Sequence, residues 1–401
     1  MAIIYLLLFM APQALVYLYL RERLPNPTNP ARARLVRRAL AIVFTLGNLP
    51  WLVVAFRLFF GSVWGLGRIP FIGPFMAWQF LGWVYCMLVA VYVLLKAVSR
   101  ASRAVVSRFR ATPDARLTTH GLSRRRFLAQ ATYAYAAVGT VVSAQGIWNA
   151  FRDPQVTRRT LYFPDLPPGL DGLRLLHISD VHAGIHLDGE RMAAIVAQAN
   201  ALRPDLIVQT GDMIDISPRY VPPYVRAFRD LHAPLGVVTV LGNHDRYTGE
   251  DTVIKGVRDA GQIFLQNDSH LIEHRGATLA VLGIDDPRSW TADDPQPYDL
   301  AAALRHAPPE AFKLLLAHRP GAFDGAIPHG IPLTLAGHIH GGQFYLPVIG
   351  WSTGRLITKY VMGHFQRGQS QLYVSRGIGV VGIPIRVFAP PEVALLELRR
   401  S

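Results

Sequence analysis

Gly337-His338-Ile339-His340-Gly341-Gly342-Gln343 sets two histidines one residue apart among glycines that let the backbone turn tightly, so both imidazoles can point into one pocket. That pattern suggests a metal site, and a two-histidine loop needs partners from elsewhere in the chain. They are present: Asp180 and His182 in Ile178-Ser179-Asp180-Val181-His182, Asp212 in Thr210-Gly211-Asp212, Asn243 and His244 in Leu241-Gly242-Asn243-His244-Asp245, and His318 in Leu316-Ala317-His318-Arg319-Pro320. Each follows an apolar, strand-like run, at 173–178, 206–209, 237–241 and 312–316, with 332–336 leading into the histidine pair. Ligand groups at the carboxyl ends of five buried strands are the way an α/β protein gathers a site from distant sequence.

Between these motifs the pattern predicts helices. Met192, Ile195, Val196, Ala199 and Leu202 repeat at helical spacing, and Pro204 closes that helix. Weaker helical patterns cover 224–231, 252–260 and 300–306, and further strands are expected at 277–282, 371–374 and 393–398. Glycine and proline are dense from 346 to 391, which predicts loops there and little helix.

The 401 residues are 51% hydrophobic and 17% charged, too apolar for disorder and long enough for more than one domain. The net charge of +14 is unevenly placed: residues 1–149 hold 17 Lys and Arg against 2 acids, and 150–401 hold 24 against 25. The basic excess therefore belongs to an apolar first half, where it reads as membrane topology rather than as a nucleic-acid-binding face. The single cysteine, Cys86, excludes disulfides within one chain.

Residues 1–149 read as an all-α membrane region with spans at about 2–20, 39–60, 70–96 and 127–147, each near the length that crosses a bilayer core of roughly 30 Å. Arginine-rich loops follow the first and third spans. Placing both in the cytoplasm puts residues 150–401 on the periplasmic or extracellular side of a bacterial inner membrane. Ser123-Arg124-Arg125-Arg126-Phe127-Leu128 resembles a twin-arginine export signal, although it is internal.

Asp-x-His, Gly-Asp, Gly-Asn-His-Asp, a lone His and Gly-His-x-His, in that order, resemble the calcineurin-like metallophosphoesterase superfamily. Gly341-Gly342-Gln343, Ser375-Arg376-Gly377-Ile378-Gly379 and Pro390-Pro391-Glu392 resemble its bacterial membrane-associated branch, typified by the YkuE and YaeI phosphoesterases. The resemblance covers roughly 170–398 and implies a four-layered α-β-β-α sandwich of two mixed sheets. It also implies two divalent metal ions: Asp180, His182, Asp212 and His340 would hold one, and Asp212, Asn243, His318 and His338 the other, with Asp212 bridging.

Two cations about 3.5–4 Å apart can share a hydroxide and stabilise both attacking and leaving oxygens of an in-line displacement at phosphorus. Carboxylate, amide and imidazole ligands suit Mn, Fe or Zn. His244 is expected to act as general acid, oriented by Asp245. Arg376 or Arg386 would meet an anionic substrate, and Asp215, Asp285 and Asp286 would support or cap. Phe344, Tyr345 and Trp351 would either form an apolar lip near the membrane or pack in the core. The expected activity is phosphomonoester or phosphodiester hydrolysis on a lipid-linked or envelope substrate. The alternatives are a UDP-glycolipid pyrophosphohydrolase of lipid A type and a non-enzymatic envelope protein with an inherited metal domain. No nucleic-acid partner is expected.

Overall fold

A computed structural model of the chain describes residues 14, 17, 30–48, 142, 145–286, 299–382 and 384–401. Its contacts divide into two units, Met1–Val141 and Val142–Ser401. In the first unit, helix α1 (Pro30–Asn48) starts with proline at a position where the missing N–H costs nothing. It takes Arg32, Arg34, Arg37 and Arg38 into a helix where the sequence reading placed a loop. Arginine, leucine and alanine are good helix formers, and the charge count that marked a loop carries no information on backbone conformation. The expected span 70–96, and most of 2–20, 39–60 and 127–147, lie outside the described residues. Among the described residues, no helix is long and apolar enough to cross a membrane.

The second unit is a mixed α/β structure of two six-stranded sheets. The first sheet has the order β1-β14-β2-β3-β4-β5, from β1 (Gln155–Phe163), β14 (Glu392–Arg400), β2 (Arg174–Ile178), β3 (Leu206–Thr210), β4 (Val237–Val240) and β5 (Ile263–Phe264). The second has the order β12-β13-β9-β8-β7-β6, from β12 (Gly363–Arg367), β13 (Ser370–Val374), β9 (Leu333–Ala336), β8 (Phe312–Leu316), β7 (Ala277–Gly283) and β6 (Asp268–His274). β2, β3 and β4 run parallel, as do β7, β8 and β9. A small antiparallel hairpin, β10 (Tyr345–Leu346) with β11 (Trp351–Ser352), stands apart.

Alternation within the central strands sets the layers. Leu175 and Val208 face Leu314, Leu316 and Leu335 between the sheets. Leu176, Ile178 and Ile207 face the opposite way, onto helices α2 (Gly189–Ala201), α3 (Val221–Phe228) and α4 (Asn243–Asp259). Leu282 and Leu315 pack outward against α5 (Leu300–Leu304) and α6 (Ala322–Ala326). Both faces of each central strand are buried, which is why these runs are almost wholly apolar. The sandwich expected from the motifs is thus present.

The edge strands of both sheets, β1, β5, β6 and β12, were not anticipated. β1 and β6 are half exposed, and polar residues such as Arg158, Arg159 and Glu273 blur their alternation. α4 begins nine residues earlier than the expected 252–260. Its first turns carry Asn243, His244 and Asp245, and a break at Gly249 (φ 117°) separates them from the apolar remainder.

Candidate metal centre

The motif residues leave β2, β3 and β4 in one sheet and β8 and β9 in the other, and all point to the seam between the sheets. Asp180, His182, Asp212, His338 and His340 have φ between 47° and 71°, the left-handed region, so each turn reverses directly after its strand. The glycines beside them allow the close approach. A Cβ on Gly242 would run into the Asp212 carboxylate, and one on Gly337 into Ser179 and Asp180.

Asp212 is the centre of the cluster. Its Oδ2 lies 3.5 Å from His182 Nε2 and 3.2 Å from His318 Nε2. On one side, His340 Nε2 is 3.2 Å from His182 Nε2 and 3.4 Å from Asp180 Oδ1. On the other, His338 Nδ1 is 3.1 Å from His318 Nε2. Among the described residues, three groups could each hold a cation: Asp180, His182 and His340; Asp212, His318 and His338; and His182, Asp212 and His244. The donor set fits divalent cations, because ring nitrogens converge on one another and the buried Oδ1 of Asn243 has no hydrogen-bond partner.

Surrounding groups fix the rings. His318 Nδ1 donates to the Thr210 carbonyl (2.7 Å), which turns its Nε2 towards Asp212. Burial opposes a proton on His318, yet the Asp212 carboxylate lifts its pKa to about 10. Burial and the positive His318 beside it push His338 down to about 2. Burial, then the charge of Arg386, holds His340 well below the usual histidine range.

Residues 173–342 match the family described as Calcineurin-like phosphoesterase. The chain is 30% identical over 292 residues to the uncharacterized metallophosphoesterase YkuE of Bacillus subtilis, covering 70% of this chain and 99% of that one. The chain belongs to the calcineurin-like phosphoesterase family. It is 28% identical to the Bos taurus transmembrane protein with metallophosphoesterase domain, across 88% of this chain and 79% of that protein. It is 27% identical to an uncharacterized metallophosphoesterase of Aquifex aeolicus, across 61% and 92% respectively. This phosphoesterase is a metal-dependent hydrolase of phosphoester bonds.

One role expected from the sequence of the phosphoesterase passes to another residue, and the two arginines expected at the substrate are engaged within the protein. Asp245 does not face His244: it is buried, and its carboxylate accepts from the backbone N–H groups of Gly242 (2.9 Å) and Ile214 (3.0 Å), tying two ligand loops together. Asp215 faces His244 instead. Its carbonyl accepts from His244 Nδ1 (2.7 Å), and its carboxylate lies 3.4 Å away. Burial opposes a proton on His244, but its hydrogen bond to Asp215 and the charge of Asp212 raise it to about 9.

Arg386 is not open to solvent. It is fully buried, donates to the carbonyls of Gly379, Arg376 and Ala389, and reaches His340 Nδ1 at 2.9 Å. Arg376 is engaged by Glu392 (2.5 Å) and by Thr157, so its head group is not a free anion site.

Reasoning from sequence missed Ser179, Thr210 and Arg319. Ser179 Oγ donates to Asp180 (2.5 Å) and accepts from Thr210 Oγ1 (2.7 Å), which also meets His177. Arg319, clamped by Asp286, reaches His338 Nε2 at 3.3 Å. Ser179 and Arg319 adjoin motif ligands, and that adjacency was the available signal.

Proposed function

We propose that this chain is a membrane-anchored binuclear phosphohydrolase acting on a phosphoester carried by a lipid or another envelope molecule. Asp180, His182, Asp212 and His340 hold one cation, and Asp212, Asn243, His318 and His338 hold the other. The observation that carries this is the Asp212 carboxylate, whose Oδ2 stands within 3.5 Å of a ring nitrogen from each side of the cluster. When bound, the two cations supply Lewis acidity at phosphorus and lower the pKa of a nearby water.

The residues do the rest. His244 has Nδ1 committed to Asp215, so the opposite ring edge is the one available to give a proton to a leaving alkoxide. Asp215 favours the charged form of that ring. Asp245 holds the Asp212 and Asn243 loops in register, and Arg319 and Arg386 pack against the far edges of the His338 and His340 rings.

The apolar, arginine-punctuated first half supports residues 1–149 as the anchor and 150–401 as the catalytic domain outside the cytoplasm. The relative with 88% coverage, named as a transmembrane protein, agrees with that.

The test is hydrolysis of bis-p-nitrophenyl phosphate and p-nitrophenyl phosphate by the full chain, metal-stripped and then given manganese, iron or zinc, beside His244→Ala. We expect metal-dependent turnover that falls by about 10²–10⁴ in the variant. Equal turnover by His244→Ala would remove the acid role, and no turnover with any metal would overturn the proposal.

A further inference from the structure

We infer that the β10–β11 hairpin and the turn after it dock into the surface of an anionic lipid bilayer, presenting the metal centre to phosphoesters of lipid headgroups. This rests on the anchored-hydrolase reading above and deepens it.

The hairpin exposes what a water-facing loop avoids. Val348 is 97% exposed and Ile349 70% at its tip, and Leu356 is 79% exposed on the turn that follows. Contiguous apolar exposure of this kind marks an interaction surface. A two-stranded hairpin is marginal by itself, so its rigidity must come from what holds it. Ser352 Oγ donates to the Gly341 carbonyl (2.7 Å), Thr353 Oγ1 to Gly342, and Tyr345 N to the Val387 carbonyl (2.9 Å). The apolar tip is thus stapled to the turn that carries His340.

Two observations select a bilayer as the occupant. The first is where the chain arrives. The helical residues 145–151, which follow the apolar stretch 127–147, dock on the same backbone segment as the hairpin: Arg386 N donates to Gly146 O (2.9 Å) and Asn149 Nδ2 to Arg386 O (3.1 Å). Val387, next along, bonds the hairpin base through Gln343 and Tyr345. On that helix Trp148 is 73% exposed. The expected apolar span ends at about 147, on the same helix that shares this backbone segment with the hairpin base.

The second is charge. From 325 to 391 the chain has no Asp or Glu; Arg355 sits on the apolar turn, and Lys359 just beyond it is paired with Asp324 (3.0 Å). Exposed aliphatic and indole side chains flanked by cations fit acyl chains under anionic headgroups.

The test uses the full chain in a Cys86→Ser background with single cysteines at Val348, Leu356 and, as control, Glu310 at the opposite end of β8. Each is labelled with an environment-sensitive nitrobenzoxadiazole and placed in phosphatidylcholine–phosphatidylglycerol nanodiscs, with or without doxyl-labelled lipid. We expect blue-shifted emission at Val348 and Leu356 and several-fold stronger doxyl quenching there than at Glu310.

Quenching no greater than at the control overturns the inference, as does a chain that does not stay with the discs. A blue shift that grows with protein concentration without doxyl quenching overturns it in favour of a second copy. Quenching needs neither metal nor turnover, so docking and hydrolysis succeed or fail separately.

Discussion

Replacing Asp215 with asparagine keeps the shape of the loop and removes the charge beside His244. In the metal-free chain the rise of His244 from its ordinary 6.5 to about 9 amounts to about 3 kcal/mol of preference for the charged ring. Burial opposes that rise, and Asp215 is its largest favourable cause, followed by Asp212. Loss of the carboxylate should therefore lower the His244 pKa by roughly one to two units, or about 1.5–3 kcal/mol.

The sign of the stability effect follows. His244 has a raised folded pKa, so its contribution is complete below pH 6.5 and fades as pH rises through about 9. Burial opposes its charge, but the nearby rings of His182 and His244 hold Asp215 below its ordinary 3.8, so its contribution is present above that value and lost in acid. The Asp215→Asn variant should melt lower than wild type at pH 6, and the gap should narrow by pH 9.5. Histidine NMR titration of the metal-stripped chain gives the pKa directly. A His244 resonance titrating at the same pH in both proteins, or a melting gap that ignores pH, would refute the assignment.

Gly337→Ala drives a Cβ into Ser179 and Asp180; we expect about 1–3 kcal/mol of destabilisation, read as a lower melting temperature, with weaker metal uptake. Arg386→Met leaves the carbonyls of Gly379, Arg376 and Ala389 without their donor, at about 1–3 kcal/mol for each buried group left unpaired. Arg386→Lys should recover only part of that loss, and equal melting of all three proteins would contradict the positioning role. Because Asp212 outweighs burial and lifts His318 to about 10, metal binding at pH 7 must expel a proton. Titration calorimetry in two buffers of different ionisation enthalpy should show that release, and heats independent of buffer would contradict it.

The catalytic half of the fold was legible because buried parallel strands are apolar on both faces and end in chemically distinctive residues. The runs before Asp180, Asp212, Asn243, His318 and His338 all proved to be strands. The edge strands β1 and β6 were not legible, since a half-exposed strand with arginines and glutamate loses its two-residue alternation. The expected ligands were legible by residue type and order, and their left-handed backbone became visible only in three dimensions.

Supporting residues were the hardest to read. Asp245 follows His244 in sequence, but consecutive residues in the first turn of a helix point about 100° apart, so proximity in the chain misassigned it. Asp215, distant in sequence, faces the ring because β3 and β4 are neighbours. The long-range partners of Arg386 could not be read from a glycine-rich stretch with no periodicity.

The most direct test is to count cations on the purified full chain by mass spectrometry of bound metal, in wild type and in Asn243→Ala. The Asn243 Oδ1 is buried without a partner, so the substitution should cost the metal-free fold little. We expect two cations per wild-type chain and one in the variant. The second should be weakened beyond the roughly 10–100-fold typical of changes outside the ligand shell. A wild-type chain that holds one cation or none, or a variant that retains two with unchanged affinity, would contradict the binuclear centre.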